Sequence, residues 1–337
     1  MPRIAFEDLT PGTTRILGSV TVSKEDILAF AREYDAQPFH VDEIAARDSF
    51  IGTLIASGWH TCCLNMRLLA EGLLLDSTSM GSPGIEELKW LKPVRPGDTL
   101  RSRMTILESR PSNSRPAIGF VRFRFELVNQ ADEIVVSQTN SLMFGRRDAE
   151  PVIGQGRSAA GAKGSSPVSA PKREFPHISP NPFLEDLVVG ATDELGSYTF
   201  EADDIIRFAR QFDPQPFHVD PAAAKRSLFG DLCASGWHTA SIWMKLMVAH
   251  RERTRAWARD HGARPARLGP SPGFTNLQWL KPVYAGDTIA YRSTVTGKRN
   301  SASRPGWGMM THRNSGVNQN GEEVFSFDGA VFWERRS

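Results

Sequence analysis

Apolar residues at helical spacing predict a short amphipathic helix near the start of the chain. Ser23 is a good N-cap, and Asp26, three residues on, can serve as its capping-box partner. Beyond this cap, apolar residues fall at positions i, i+3, i+4 and i+7, which share one face of a helix. The same face returns 178 residues later; the two sets are Ile27, Phe30, Ala31 and Tyr34, and Ile205, Phe208, Ala209 and Phe212.

A second helix is predicted to open at Ser57-Gly58 and to be buried. Apolar residues occupy nearly all of its faces, which is the pattern of a helix enclosed by other elements. These residues are Trp59, Cys62, Cys63, Leu64, Met66, Leu68 and Leu69.

Alternating side chains predict strands after this helix. Between Val121 and Leu127, apolar and charged residues alternate with a period of two, as in a sheet with one buried and one wet face. The run Asn-Gln-Ala-Asp at 129–132 favours a hairpin turn into a strand from Ile134 to Phe144. One buried helix followed by antiparallel strands predicts an α+β fold in which the sheet wraps around the helix.

The whole unit occurs twice in the chain. Two segments return at an offset of 178 residues and a third returns at 189, so the second copy gains eleven residues between its central helix and its first long strand. A period this long indicates a duplicated domain. The matching pairs are 35–42 with 213–220, 56–61 with 234–239, and 90–94 with 279–283.

A stretch of different composition separates the two copies. It is rich in Gly, Ser, Ala and Pro and has no helical or strand period, which is typical of a linker that cannot bury enough apolar surface to order itself. We predict an N-terminal domain at 1–145, a linker at 146–180 and a C-terminal domain at 181–337. The two domains are expected to pair within the chain as a pseudo-dimer.

Composition narrows the function classes. The 337 residues are 40% apolar and 23% charged with a net charge of +2, which favours a globular protein and gives no sign of a nucleic-acid partner. Three cysteines without a CxxC pair argue against a disulfide framework or a cysteine zinc site. The start of the chain has no apolar signal-peptide core and no apolar run is long enough to span a membrane, so we expect a cytoplasmic protein without a membrane partner.

An acid and an imidazole recur together in both copies. Asp35 and His40 lie five residues apart in a predicted loop that holds a proline, and Asp213 and His218 repeat the arrangement. Such a pair can grip one water, since an imidazole with a pKa near 6.5 exchanges protons near neutral pH and a carboxylate can accept a proton. The amides of Gln37 and Gln215 are suited to ordering these neighbours.

A glycine opens each central helix, eighteen residues after each histidine. The first N–H groups of a helix are unpaired and carry a partial positive charge, and glycine lets a substrate approach the backbone closely. Gly58 and Gly236 are therefore candidates for an oxyanion hole that polarises a thioester carbonyl. One such donor can be worth roughly 3–4 kcal/mol of barrier.

With these residues in place, the chain resembles the MaoC-like dehydratases and the (R)-specific, type 2 enoyl-CoA hydratases. Their signature is an aromatic residue, then Asp-x-Asn-Pro-x-His, and later a small-residue turn that ends in Gly at the start of the central helix. Both halves fit it, with Tyr34, Asp35, Pro38, His40 and Gly58 in one and Phe212, Asp213, Pro216, His218 and Gly236 in the other.

The resemblance implies two tandem hotdog domains, a catalytic Asp/His dyad and a glycine N–H that polarises the thioester. This sequence departs from the family pattern at Gln37 and Gln215, where Asn is usual. It departs again at Ser57 and Ser235, where many members have His. Family pseudo-dimers often keep one working copy, but both copies here keep the motif, so we expect two active sites.

The function implied is reversible hydration of a trans-2-enoyl-CoA, or dehydration of a 3-hydroxyacyl-CoA, by a hydro-lyase of fatty-acid or related acyl-CoA metabolism. No metal or redox cofactor is expected, and the chain is expected to act as a monomeric pseudo-dimer or a homo-oligomer of it. Two alternatives stay open. A hotdog thioesterase would need a carboxylate or nucleophile from the central helix, yet 58–70 holds no Asp or Glu. The other is a non-catalytic module that binds acyl thioesters.

Other polar residues have more ordinary explanations. His60 and His238 are expected to be hydrogen-bonded core residues, and Trp59 and Trp237 to be core packing. The inserted arginines of the second copy can meet CoA phosphates, but a solvated helix face is the better explanation for most of them. They are Arg251, Arg253, Arg255, Arg259, Arg264 and Arg267.

Overall fold

The computed structural model describes residues 4–150, 152–154, 156 and 183–336. Each half contains five strands and four helices in the same order. The first half comprises β1 (Thr14–Thr21), α1 (Lys24–Tyr34), α2 (Pro38–Val41), α3 (Glu43–Arg47), α4 (Gly58–Leu69), β2 (Gly84–Trp90), β3 (Thr99–Pro111), β4 (Ile118–Val128) and β5 (Ile134–Gly145). The second half comprises β6 (Thr192–Thr199), α5 (Ala202–Phe212), α6 (Pro216–Val219), α7 (Pro221–Lys225), α8 (Gly236–Asp260), β7 (Gly273–Trp279), β8 (Thr288–Asn300), β9 (Trp307–Val317) and β10 (Glu323–Glu334).

The first amphipathic helix forms where its cap and apolar face predict. In α1 the Ser23 hydroxyl accepts a hydrogen bond from the Asp26 N–H at 3.0 Å, and the Asp26 side chain completes the capping box. The predicted apolar face is buried, and so is its counterpart on α5. The N-cap of α5 is Glu201, whose side chain makes no capping hydrogen bond.

One antiparallel sheet of ten strands runs through both halves in the order β1-β3-β4-β5-β2-β7-β10-β9-β8-β6. The two halves meet where β2 pairs with β7, with Leu88 opposite Phe274. The predicted hairpin connects β4 and β5, and Asn129 stabilises its turn by accepting hydrogen bonds from the N–H groups of Ala131 and Glu133. The prediction of an α+β fold with two sheet-and-helix units is confirmed.

The central helices α4 and α8 lie side by side inside the wrapped sheet. Cys63 of α4 and Ser241 of α8 occupy matching positions of the two copies and approach to 3.9 Å between Sγ and Oγ. A contact between equivalent residues marks the axis that relates the two halves, as in a symmetric dimer. All three cysteines are buried and free.

The two copies differ most at the end of the central helix. In the first half α4 ends at Leu69 and continues as a π-helical turn, Ala70–Leu74. In the second half α8 runs on to Asp260, over 25 residues. The residues gained by the second copy therefore lengthen α8 and the segment that connects it to β7.

The structure refines the prediction for the acid–imidazole segments and describes only part of the predicted linker. The segment with the acid and imidazole is not wholly a loop, because Pro38–Val41 and Pro216–Val219 each form one helical turn started by a proline. The predicted linker at 146–180 lies from residue 157 onward outside the described residues, and its bounds stay a prediction. No helix in the described parts of the chain is long and apolar enough to cross a membrane.

The capping difference between α1 and α5 gives a matched test of local stability. Ser23→Ala is expected to lower the free energy of unfolding by about 1 kcal/mol, because the capping hydrogen bond is lost. Glu201→Ala is expected to change it by less than about 0.5 kcal/mol, since that side chain makes no capping bond. Urea denaturation measures the free energy of unfolding of both variants. An equal loss in the two would contradict the assignment of Ser23 as a stabilising cap.

Candidate active site

The end of α1 and the turn α2 bring the predicted acid and imidazole together. Asp35 is the C-cap of α1, and His40 lies in α2, whose start is fixed by Pro38. The Oδ2 atom of Asp35 lies 3.5 Å from Nε2 of His40. Both residues are buried, at 2% and 4% exposed.

A backbone carbonyl determines which nitrogen of the His40 imidazole carries the hydrogen. Nδ1 of His40 lies 2.8 Å from the carbonyl oxygen of Ile55, which can only accept a hydrogen bond, so Nδ1 carries the hydrogen. In the neutral ring Nε2 is then an acceptor. It faces Oδ2 of Asp35, also an acceptor, so a donor between the two atoms can hydrogen-bond to both.

Two further side chains orient the carboxylate. The Ser57 hydroxyl donates to Oδ2 of Asp35 at 2.6 Å, and Nε2 of Gln37 donates to Oδ1 at 2.9 Å. Gln37 is thus hydrogen-bonded to the candidate acid, and its role stays a prediction. Ser57 was missed as a site residue, although a serine before the first glycine of a helix is a recognisable N-cap signal.

The start of α4 lines the same cavity as the acid and imidazole. Ser57 caps this helix by accepting a hydrogen bond from the Trp59 N–H at 3.2 Å. Gly58 is required here by packing as well, because an added Cβ would lie 2.5 Å from Cε2 of Trp90. The Trp90 indole also donates to the Gly58 carbonyl at 3.1 Å.

The second copy reproduces this arrangement. Oδ2 of Asp213 lies 3.5 Å from Nε2 of His218, whose Nδ1 lies 2.7 Å from the Cys233 carbonyl oxygen. Ser235 and Gln215 donate to the Asp213 carboxylate at 2.6 and 2.9 Å. Gly236 opens α8 under the ring of Trp279, where an added Cβ would lie 2.2 Å from Cε2.

Each dyad opens into a cavity whose far wall belongs to the other half. The cavity at Asp35 has a volume of about 360 Å³ and is lined by Met244, Met247 and Phe327 of the second half. The cavity at Asp213 has a volume of about 240 Å³ and is lined by Met66 and Leu69 of the first half and other residues. Neither site is complete without both halves, which the sequence could not show.

The inserted arginines do not share one role. Arg264 and Arg267 bind the Glu334 carboxylate, while Arg253 is exposed. Arg251 lines the cavity of the Asp35 site, so a solvated helix face is the wrong explanation for this residue.

The histidines one turn into the central helices are buried, as predicted, but they lack the expected hydrogen bonds. Nδ1 of His60 and both ring nitrogens of His238 have no hydrogen-bond partner among the described residues. His60 stacks on Phe30 at 4.7 Å between ring centroids, and His238 stacks on Phe208 at 4.5 Å. Burial lowers the pKa of His60 to about 4 and that of His238 to about 3, so both rings are neutral near pH 7.

Comparisons with known proteins point to one family. The family model described as MaoC like domain matches residues 8–117 and 189–307. The chain is 26% identical over 247 residues to the mesaconyl-CoA hydratase of Cereibacter sphaeroides, and this match covers 68% of this chain and 64% of that protein. It is 32% identical over 126 residues to the (R)-specific enoyl-CoA hydratase of Rhodospirillum rubrum, and this match covers 35% of this chain and 77% of that protein.

Solved structures show the same fold over the whole chain. A putative MaoC domain protein dehydratase from Chloroflexus aurantiacus superposes with a TM-score of 0.76 at 19% identity, covering 100% of this chain and 99% of that one. A conserved hypothetical protein of Mycobacterium tuberculosis, described as having a double hotdog fold, gives 0.71 at 15% identity, covering 98% and 99%. The predicted pair of hotdog domains is thereby confirmed.

The packing of Gly58 under an indole ring predicts a sharp effect of one methyl group. Gly58→Ala is expected to lower the free energy of unfolding by about 1–3 kcal/mol, because the Cβ overlaps Trp90. Gly306→Ala is the control, since an added Cβ there meets nothing within 4 Å. A Gly58→Ala protein as stable as the Gly306→Ala protein would show that the ring is not tightly packed on the helix start.

The two buried histidines predict a loss of stability in acid. In the unfolded chain each binds a proton below about pH 6.5, whereas the folded state resists protonation. Their contribution is therefore complete above about pH 6.5 and is lost as the pH falls through about 4. The melting temperature should fall across this range, and it should fall less in the double variant His60→Gln/His238→Gln. If the melting temperature fell equally with pH in wild type and in the double variant, these histidines would not be the cause of the acid instability.

Proposed function

Because this chain belongs to the MaoC-like dehydratase family, we propose that it catalyses the reversible hydration of trans-2-enoyl-CoA thioesters to 3-hydroxyacyl-CoA thioesters. The observation that carries the proposal is the acid–imidazole pair of each half, held 3.5 Å apart in a cavity that also contains the start of a buried helix. The names of two relatives, both hydratases of CoA thioesters, support the substrate class.

A water molecule is the natural donor between the two acceptors. One of its hydrogens points to Oδ2 of Asp35 and the other to Nε2 of His40, which leaves the oxygen lone pairs free. The Ile55 carbonyl and the Ser57 hydroxyl keep both acceptors in place. The pair thereby aims the water oxygen into the cavity.

The proposed reaction adds the hydroxyl of the water to C3 and its proton to C2. The water oxygen bonds to C3 of the enoyl group as its O–H bond breaks and Asp35 takes the proton. The C2–C3 π pair becomes the C1–C2 double bond of an enolate, and the carbonyl π pair moves to the thioester oxygen. When the carbonyl re-forms, the C1–C2 pair bonds C2 to the proton from Asp35, so that H and OH are added to the same face. His40 orients the water throughout. Each step is a proton transfer or an oxyanion stabilisation, so the proposal includes no metal or redox cofactor.

The enolate oxygen needs a hydrogen-bond donor that is already in place. The Gly58 N–H lies in the first turn of α4, where the helix supplies no carbonyl partner and a partial positive charge collects. The Trp90 ring lies against Gly58 and holds this end of the helix rigid. We assign the Gly58 N–H, and in the second site that of Gly236, as the oxyanion donor.

Hydration assays test this proposal on proteins in which the acid of either dyad, or of both, is replaced. The substrate is crotonyl-CoA, and the proteins are wild type, Asp35→Asn, Asp213→Asn and the double variant. Each single variant is expected to keep the activity of its intact site. The double variant is expected to lose about 10²–10⁴-fold in kcat, the range for removal of a general acid–base group.

Matched controls are available seven residues beyond each dyad acid. Asp42 and Asp220 cap short helices outside both cavities, and asparagine is an equally good cap. Asp42→Asn and Asp220→Asn should therefore hydrate crotonyl-CoA like the wild type. A double dyad variant that behaves like these controls would refute the dyad. Release of free CoA thiol would favour a thioesterase instead, and tight binding without turnover would favour a non-catalytic module.

A further inference from the structure

A positive charge without a partner lies in the wall of the cavity at Asp35. Arg251 of α8 lines this cavity, and among the described residues it makes no ion pair and no hydrogen bond. Its guanidinium lies over the Trp333 ring, with Cζ 5.7 Å from the ring centroid. By contrast, Arg264 and Arg267, further along the chain, share the carboxylate of Glu334.

Arg251 stands at the end of an otherwise apolar row on α8. Trp243, Met244 and Met247 line the cavity before it on the same helix. At 1.5 Å per residue, Arg251 is about 12 Å along the helix axis from Trp243, whose ring packs on Trp59 next to the oxyanion glycine. An acyl chain that extended from the dyad along this row would bring its far end to the guanidinium.

Arg251 is half-buried, which makes this unpaired charge costly. Burial lowers the pKa of Arg251 to about 10, so the guanidinium remains charged at neutral pH. The charges that act on it are those of Arg255, Asp193 and Asp35, and none of the three groups is bonded to it. A partly desolvated cation without a partner is destabilising, and a bound anion would offset that cost.

The second site has no such cation at its far end. The residue 178 positions before Arg251 is Leu73, which is buried in the core. The second cavity is lined instead by neutral residues such as Leu69, Leu142 and Gln138. Its lysine, Lys281, pairs with Glu322, just as Lys92 of the first cavity pairs with Glu133. Among the lysines and arginines that line the two cavities, Arg251 alone has no counterpart.

We propose that the Asp35 site is selective for enoyl thioesters whose acyl chain ends in a carboxylate, which Arg251 binds, and that the Asp213 site takes uncharged chains. This inference rests on the proposed hydratase function. A guanidinium binds a carboxylate through two parallel hydrogen bonds, which sets both the position and the length of the acyl chain. The exchange of Leu73 for Arg251 between the two copies thereby gives the Asp35 site its specificity.

The test uses pairs of substrates that differ only at the far end. Crotonyl-CoA is compared with the CoA monothioester of fumaric acid, in which a carboxylate replaces the methyl group. Hex-2-enoyl-CoA is compared with its 5-carboxypent-2-enoyl counterpart. All assays are run in the Asp213→Asn background, so that the Asp35 site alone turns over.

In this background kcat/KM is expected to be at least about 10-fold higher for the carboxylate member of one pair. Arg251→Met should lower kcat/KM by about 10–100-fold for carboxylate substrates, the range for a hydrogen bond to a charged group. For methyl-terminated substrates the same variant should change kcat/KM by less than about 3-fold. Arg251→Lys keeps the charge and should retain part of the preference. Arg253→Met, on the exposed side of α8, is the control and should leave both values unchanged.

A second arm distinguishes a carboxylate from a CoA phosphate as the anion bound. The same acyl groups are presented as pantetheine thioesters, which carry no phosphate, and the preference for the carboxylate should persist. Equal losses for both chain ends in Arg251→Met, or a preference that disappears without CoA, would overturn the inference. If wild type failed to hydrate any of these thioesters, the proposed function itself would be wrong, so the two failures can be told apart.

Discussion

Oδ2 of Asp35 and Nε2 of His40 face each other 3.5 Å apart in a buried site, and the candidate chemistry depends on a donor that hydrogen-bonds to both. Oδ2 of Asp35 and Nε2 of His40 both have lone pairs that face the gap, because the Ile55 carbonyl takes the only hydrogen of the neutral imidazole. Water is the smallest donor that serves both atoms. The same constraint recurs at Asp213 and His218 with nearly the same distances, and a duplicated geometry indicates that it is specified by the fold.

The tertiary fold supplies the cavity walls around each acid–imidazole pair. Pairing of β2 with β7 joins the halves into one sheet, and this places α8 across the cavity of the first site and α4 across that of the second. Each half therefore contributes the acid and imidazole of one candidate site and part of the cavity wall of the other. A residue of one half, such as Arg251 of α8, therefore lines the cavity of the opposite site without contacting its dyad.

The sequence predicts those features that follow from local patterns. The cap and apolar face of α1, the buried central helix and the alternating strands each follow from spacing, and the repeat shows that the unit is duplicated. The turn α2 was missed because a single helical turn after a proline has too few residues to show a period.

What could not be predicted depends on contacts between distant segments. The donation from Ser57 to Asp35 spans 22 residues, and the packing of Trp90 on Gly58 spans 32. Arg251 reaches the first site from the other half of the chain, so no local pattern distinguishes it from the solvated arginines beside it. Spacing identifies the reactive groups, but their surroundings are set by the tertiary fold.

A high-resolution crystal structure of the ligand-free protein would show whether the acid and the imidazole share one solvent molecule. We expect an ordered water within about 3 Å of both Oδ2 of Asp35 and Nε2 of His40, and a second one at Asp213 and His218. A structure in which the two side chains bond directly to each other, with no shared solvent in either site, would contradict it.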